Sequence, residues 1–224
     1  MKKYFIYIVL LASTFIMAGC EFDNYDAPTS SVSGMVHYNG IPVGVRSNAT
    51  NLELYQHGYA LFQKVNVYIS QEGTYSVRLF DGDYIITRLS GAPWEPATDS
   101  VYVTVKGNTI MDIPVVPYFT IDNPTFTYSG GNITATCNVT KVTTGAKTVQ
   151  ELKLYVSTKE ILDNNYNTIL FKTTSSVSLS ATNTLSVALT SPLNTRQYVY
   201  VRLGVLINGI QERFYSPSFK LMLQ

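Results

Sequence analysis

The sequence predicts an all-β protein made of two consecutive β-sandwich domains. Three observations carry that prediction. No long segment shows the 3.6-residue hydrophobic period of an amphipathic helix, whereas many short runs alternate apolar and polar residues, as half-buried strands do. The runs are punctuated by Asn39-Gly40, Asp81-Gly82, Gly107-Asn108 and Gly130-Gly131, turn dipeptides that tolerate positive φ. Between two such series stands "IPVVPYFTIDNP", whose three prolines mark a junction separating residues 31–117 from 118–224.

Composition agrees with packed domains. The chain has 224 residues, enough for two small domains, and is 46% hydrophobic. Only 14% of residues are charged, against roughly 25% in typical soluble proteins. The formal charge of +1 argues against an electrostatic nucleic-acid binder.

Ahead of the first domain, Lys2 and Lys3 precede an apolar run, "YFIYIVLLASTFIM", that is shorter than the roughly 20 residues a spanning helix needs. The run ends at Met17-Ala18-Gly19-Cys20. This resembles the bacterial lipoprotein lipobox, with Met17 where Leu is commoner. The resemblance makes residues 1–19 a lipoprotein signal peptide and Cys20 the lipidated residue. Several acyl chains on Cys20 would hold the protein stably to a membrane, at about 0.8 kcal/mol per buried CH₂. Residues 20–30 read as a polar tether. Its acids Glu21, Asp23 and Asp26 are similar to signals that export Bacteroidetes lipoproteins to the outer leaflet.

In the first domain, "SVSGMVHY" places Val32, Gly34, Val36 and Tyr38 on one face before the Asn39-Gly40 hairpin. "NLELYQ" is a weaker strand signal and "KVNVYIS" a stronger one. "TYSVRLFDGDYIITRL" reads as two strands about Asp81-Gly82, with Tyr75, Val77 and Leu79 opposite Tyr84 and Ile86. Val101, Val103 and Val105 share a face before the turn at Gly107-Asn108. Gly40-Ile41-Pro42, then Glu72-Gly73 with Tyr75, then Gly82, Tyr84 and Ile86 resemble the carboxypeptidase regulatory-like, or transthyretin-like, domain over residues 31–117. The insertion "RSNATNLELYQHGYALFQK" departs from that family's simplest pattern.

The second domain offers about seven strand-like runs, as an immunoglobulin-like sandwich requires. "LNTRQYVYVRLGV" resembles the E–F corner and F strand of fibronectin type III domains. Tyr198 is then the corner tyrosine, although Leu193 to Tyr198 is one residue short of the usual spacing. The combination of lipobox, "YQHGY", "GDYIITRLSGAPWEP", "DIPVVPYF" and a fibronectin-like second half is similar to an uncharacterised Bacteroidetes lipoprotein family, domain-of-unknown-function family 3823. Members are similar to accessory proteins encoded beside the porin and binding-protein pairs of glycan uptake systems.

The residues themselves carry no catalytic constellation. His37 and His57 are far apart in sequence, with no H-E-x-x-H. No G-x-S-x-G elbow occurs. The acid pairs Asp81/Asp83 and Glu95/Asp99 are explained by turn chemistry and solvation. Cys137 sits in an alternating strand and reads as a small buried hydrophobe, without a disulfide partner once Cys20 is acylated. No enzyme, cofactor or metal is expected.

"GAPWEPATDS" is the best candidate for partner contact. Trp94, the only tryptophan, either presents a flat platform for a sugar, with Glu95 and Arg88 binding hydroxyls, or plugs its own sandwich or the domain seam. The expected function is therefore a non-catalytic outer-membrane lipoprotein, facing the cell exterior, that captures glycans beside a SusC/SusD-type uptake complex. The alternative is a fimbria-like or adhesin subunit, with "SFKLML" as an exchangeable donor strand.

Overall fold

The computed structural model of the chain describes residues 26–58, 63–88, 91–97 and 99–224. Cys20, the signal segment and most of the tether lie outside the described residues. Among the described residues the chain is β-structure and loops, with a 3-10 turn at Leu193–Thr195 and no α-helix.

The first sandwich contains β1 (Ser30–Tyr38), β2 (Ile41–Pro42), β3 (Asn51–Gln56), β4 (Lys64–Tyr68), β5 (Thr74–Leu79), β6 (Gly82–Arg88), β7 (Val101–Val105), β8 (Asn108–Ile110) and β9 (Ile113–Pro114). One sheet is built on β1, antiparallel to β2 and β5 and parallel to β8 and β9. The other runs β4-β3-β6-β7, all antiparallel. Asn39 and Gly40, at φ of 52° and 79°, close the β1–β2 hairpin as the dipeptide predicts.

The Asp81-Gly82 turn does something else. β5 belongs to the β1 sheet and β6 to the opposite sheet, so the turn carries the chain across the sandwich instead of closing a hairpin. Tyr75 and Leu79 do oppose Tyr84 and Ile86, but through the core between the sheets. Gly107-Asn108 makes the same kind of crossing, from β7 to β8. Asp81 ties both crossings to the start of β1: its carboxylate accepts from the Ser30 hydroxyl and from the Gly107 amide at 3.3 Å. Those two bonds hold its carboxyl below the usual range, the serine contributing more.

The second sandwich contains β10 (Phe119–Ser129), β11 (Asn132–Lys141), β12 (Val149–Ser157), β13 (Leu170–Thr174), β14 (Asn183–Ala188), β15 (Tyr198–Ile207), β16 (Phe214–Tyr215) and β17 (Phe219–Met222). β10-β11-β14 faces β13-β12-β15, and β16 and β17 follow one another along β15's free side. This order is compatible with an immunoglobulin-like layout. Ile133, Ala135, Cys137 and Val139 on β11 pack toward Leu152, Leu154 and Val156 on β12 and Val199 to Ile207 on β15. "SFKLML" is the last strand of its own sheet, with Leu221 buried.

Tyr198 is not a corner tyrosine. Its ring lies on the surface, edge-on to Tyr200 at 5.8 Å and under the Lys220 ammonium at 3.9 Å. The shortened spacing instead fits Leu193 into the core at the 3-10 turn and leaves Tyr198 on the outward parity of β15.

Arg202 joins the two sandwiches. It sits mid-β15 on the outward side, yet it is fully buried because the first sandwich covers it. Nε donates to Ser216 O at 2.7 Å and Nη1 to Leu162 O and Gln71 Oε1, both at 3.3 Å. Nη2 donates to Val45 O at 3.1 Å and Gln71 O at 2.6 Å. All five guanidinium hydrogens are thus placed, three of them on the first sandwich. Tyr215 stacks 4.4 Å from the guanidinium carbon. Burial pulls the group's pKa down to about 10, which still leaves it charged at neutral pH.

The contacts around Arg202 reinforce it. Gln71 donates to Glu160 O at 2.9 Å and accepts from the Leu162 amide, gripping the loop after β12. Tyr215 N donates to Gly44 O at 3.0 Å, and a Cβ at position 44 would fall on the Tyr215 carbonyl. Arg46 and Glu212 form a two-pronged ion pair at the rim. Replacing Arg202 by Met should lower unfolding free energy by about 3 kcal/mol, since several buried carbonyls lose their donor together. Urea denaturation should then resolve two transitions where the wild type shows one. A single unshifted transition would refute the keystone role.

Candidate functional site

The segment after β6 runs past the domain seam. Trp94 pairs with Pro117 as an isolated bridge, Glu95 N donates to Val116 O at 2.9 Å, and Tyr118 N donates to Pro93 O at 3.1 Å. These bonds fold the Pro-rich segment back over the junction. Trp94 is 1% exposed and belongs to the continuous core of both sandwiches. Of the two roles open to it, the structure shows the packed one, and the indole offers no face to a ligand. Two flanking prolines and a short backbone bridge turn the ring inward, where a large aromatic gains most from burial.

Arg88 and Glu95 do come together. They line a shallow cleft of about 390 Å³ with Pro96, Asp99, Pro114 and Val116. Arg88, at the end of β6, has a largely buried side chain that spans the cleft floor. Nη1 donates to Pro114 O at 2.8 Å, and Nη2 to Asp99 O at 3.2 Å and Asp99 Oδ1 at 2.5 Å. Its Nε is buried with no partner in the structure. Asp99, at 77% side-chain exposure, faces water, so the pair adds little stability but fixes two polar groups in place. The cleft can exchange hydrogen bonds with hydroxyls through Glu95 and Asp99, and its Pro and Val walls can pack against apolar edges.

The remaining chemistry-bearing residues have structural partners. His37 Nδ1 accepts from the Gly40 amide at 3.1 Å and so braces the first hairpin. Asp83 accepts from the Thr104 hydroxyl at 2.6 Å, across from β7. Among the described residues no group of three or more His, Cys, Asp or Glu side chains could hold a metal ion. No described helix is long and apolar enough to cross a membrane.

These features define a class: an all-β protein of two sandwiches, joined at a buried arginine, with a shallow cleft of mixed polar and apolar lining beside the seam. Residues 30–116 match the N-terminal domain of a protein of unknown function, DUF3823, and residues 119–220 match the DUF3823 C-terminal domain. The chain belongs to the DUF3823 family. It is 38% identical to a family member from Bacteroides ovatus, with 87% of this chain and 100% of that one aligned at a TM-score of 0.82. A Parabacteroides merdae member is 31% identical, covering 88% and 100% at a TM-score of 0.81. A Bacteroides uniformis structure, described as a candidate carbohydrate-binding protein, is 21% identical over 88% and 100%, with a TM-score of 0.74, and shares the fold. No curated protein matches the chain at significance.

Cys137 is buried in the second core, and burial chiefly, with Asp122 nearby, raises its thiol pKa to about 11. A thiol-specific disulfide reagent should therefore leave Cys137 unmodified in the native protein between pH 7 and pH 9. It should react fully once denaturant is added. Stoichiometric native reaction at pH 8 would contradict this burial.

Proposed function

We propose that the protein is a non-catalytic, lipid-anchored accessory of the outer membrane that captures glycan at the cell exterior beside a Sus-type uptake complex. The observation that carries the binding part is the Arg88–Asp99 cleft, open to solvent, with the Glu95 and Asp99 carboxylates beside proline and valine walls. The carbohydrate-binding description of the Bacteroides uniformis relative favours the same ligand class. The Gly19-Cys20 pair at the end of the apolar run supports the anchor. Exposed lipoproteins beside a porin would concentrate polymer at the surface without cleaving it, and nothing in such a role asks for a catalytic pair.

Two measurements test this reading. Cells grown with a radiolabelled fatty acid should label the wild type, and Cys20→Ala should abolish both labelling and membrane fractionation. In affinity electrophoresis through polysaccharide-containing gels, the purified protein should be retarded by at least one soluble glycan, and Glu95→Ala should weaken that retardation several-fold. No retardation by any plant or host polysaccharide, with normal growth of a deletion strain on them, would sink the proposal.

A further inference from the structure

We infer that the solvent face of the β4-β3-β6-β7 sheet is a platform for an extended, uncharged polysaccharide chain. The inference rests on the glycan reading and specifies a second, larger contact surface for it. The inner face of this sheet is core: Leu52, Leu54, Val67, Tyr84, Ile86, Val103 and Val105 are buried. Strand alternation therefore puts Glu53, Tyr55, Ile85, Thr87, Tyr102 and Thr104 on the other face, where Tyr102 and Thr104 are exposed, Tyr55, Ile85 and Thr87 half-buried, and Glu53 buried in its bonds to Tyr55 and Lys64.

Register aligns the outward residues in rows across the strands. One row runs Lys64, Tyr55, Ile85, Tyr102. A polar row, Asn66, Glu53, Thr87, borders it on one side. Asp83 and Thr104 border it on the other. Tyr55 and Tyr102 are separated by one intervening strand, so their backbones stand about 9.6 Å apart at two inter-strand spacings. A sugar chain laid across the strands would therefore meet both tyrosines, with Ile85 between them. Pyranose C–H faces pack on aromatic rings, and their equatorial hydroxyls point sideways, toward the two polar rows.

The polar rows are already set. The Tyr55 hydroxyl donates to Glu53 Oε2 at 2.9 Å, which draws the ring along the sheet surface. Lys64 is paired with Glu53, and Thr104 with Asp83. With its cation neutralised, the face offers no surplus positive charge, which favours a neutral chain over a polyanion. Tyr102 is 70% exposed, an aromatic held out in water on an edge strand.

The test compares Tyr102→Ala, Tyr55→Ala and Tyr102→Trp with the wild type by affinity electrophoresis and calorimetry, using soluble mixed-linkage β-glucan and xyloglucan, with pectate as the charged control. Tyr102 is too exposed for its loss to disturb folding. Tyr102→Ala should weaken binding of a neutral glycan about tenfold, Tyr55→Ala comparably, and Tyr102→Trp should retain it. Added salt should leave the neutral-glycan affinity unchanged. If the wild type binds while both alanine variants bind equally well, the platform is overturned and the glycan reading stands. Preference for pectate that vanishes with salt overturns the uncharged ligand class. Failure of the wild type to bind any of a broad glycan panel overturns both readings together.

Discussion

A buried guanidinium bonded to backbone and amide oxygens, with no carboxylate in its hydrogen-bond shell, sets the geometry of this protein. Taking a charge out of water is costly, and no carboxylate is hydrogen-bonded to Arg202; Glu72 and the buried Asp163 favour its charge only through space. The structure offsets it with backbone: Val45 O, Gln71 O, Leu162 O and Ser216 O, with the Gln71 amide oxygen and the face of Tyr215. Those acceptors come from both sandwiches and from the loop after β12, so each must be in place for any to count. The requirement fixes the angle between domains. With it comes the fold-back of the Trp94 segment over Pro117, and hence the position of the cleft at Arg88.

Much of the fold was legible because period and turn chemistry are local. Alternation located β1, β7, β11 and β15, and Asn39-Gly40 and Gly130-Gly131 closed true hairpins. The misreading at Asp81-Gly82 has a physical cause. A tight turn specifies only that the chain reverses; whether the next strand hydrogen-bonds its predecessor or faces it through the core is decided by the other strands. Likewise, of the strand-like run "TILFKTTSSVSLS" only Leu170–Thr174 finds a ladder partner, on β12. Arg202 was invisible as a keystone because an arginine on the outward parity of a strand ordinarily reads as solvated.

The same blindness shaped the search for a site. Trp94 drew attention because it is unique and bracketed by prolines, and those prolines turn it inward. Arg88 and Glu95 share a cleft because β6 ends where the Pro-rich segment returns, a contact that sequence proximity already suggested. The Tyr55–Tyr102 row was not readable at all. Its residues lie in the long insertion and in two later segments, and only the register of β3, β6 and β7 lays them side by side. The insertion that departs from the simplest regulatory-like pattern supplies β3, and with it Tyr55 at one end of that pair.

The bond from Tyr215 to Gly44 also has a hereditary consequence. β16 spends one edge of its pairing on the first sandwich, and position 44 must stay without a side chain to receive it. A recombination event at the proline junction that brought in another sandwich of the same topology would deliver a strand where β16 now lies. It would lack the carbonyl placement and the arginine that the first half is shaped to accept. The two halves are thus matched to each other at this seam, and an exchange of either alone would leave the Gly44 carbonyl and the Arg202 acceptors of the first sandwich without their partners.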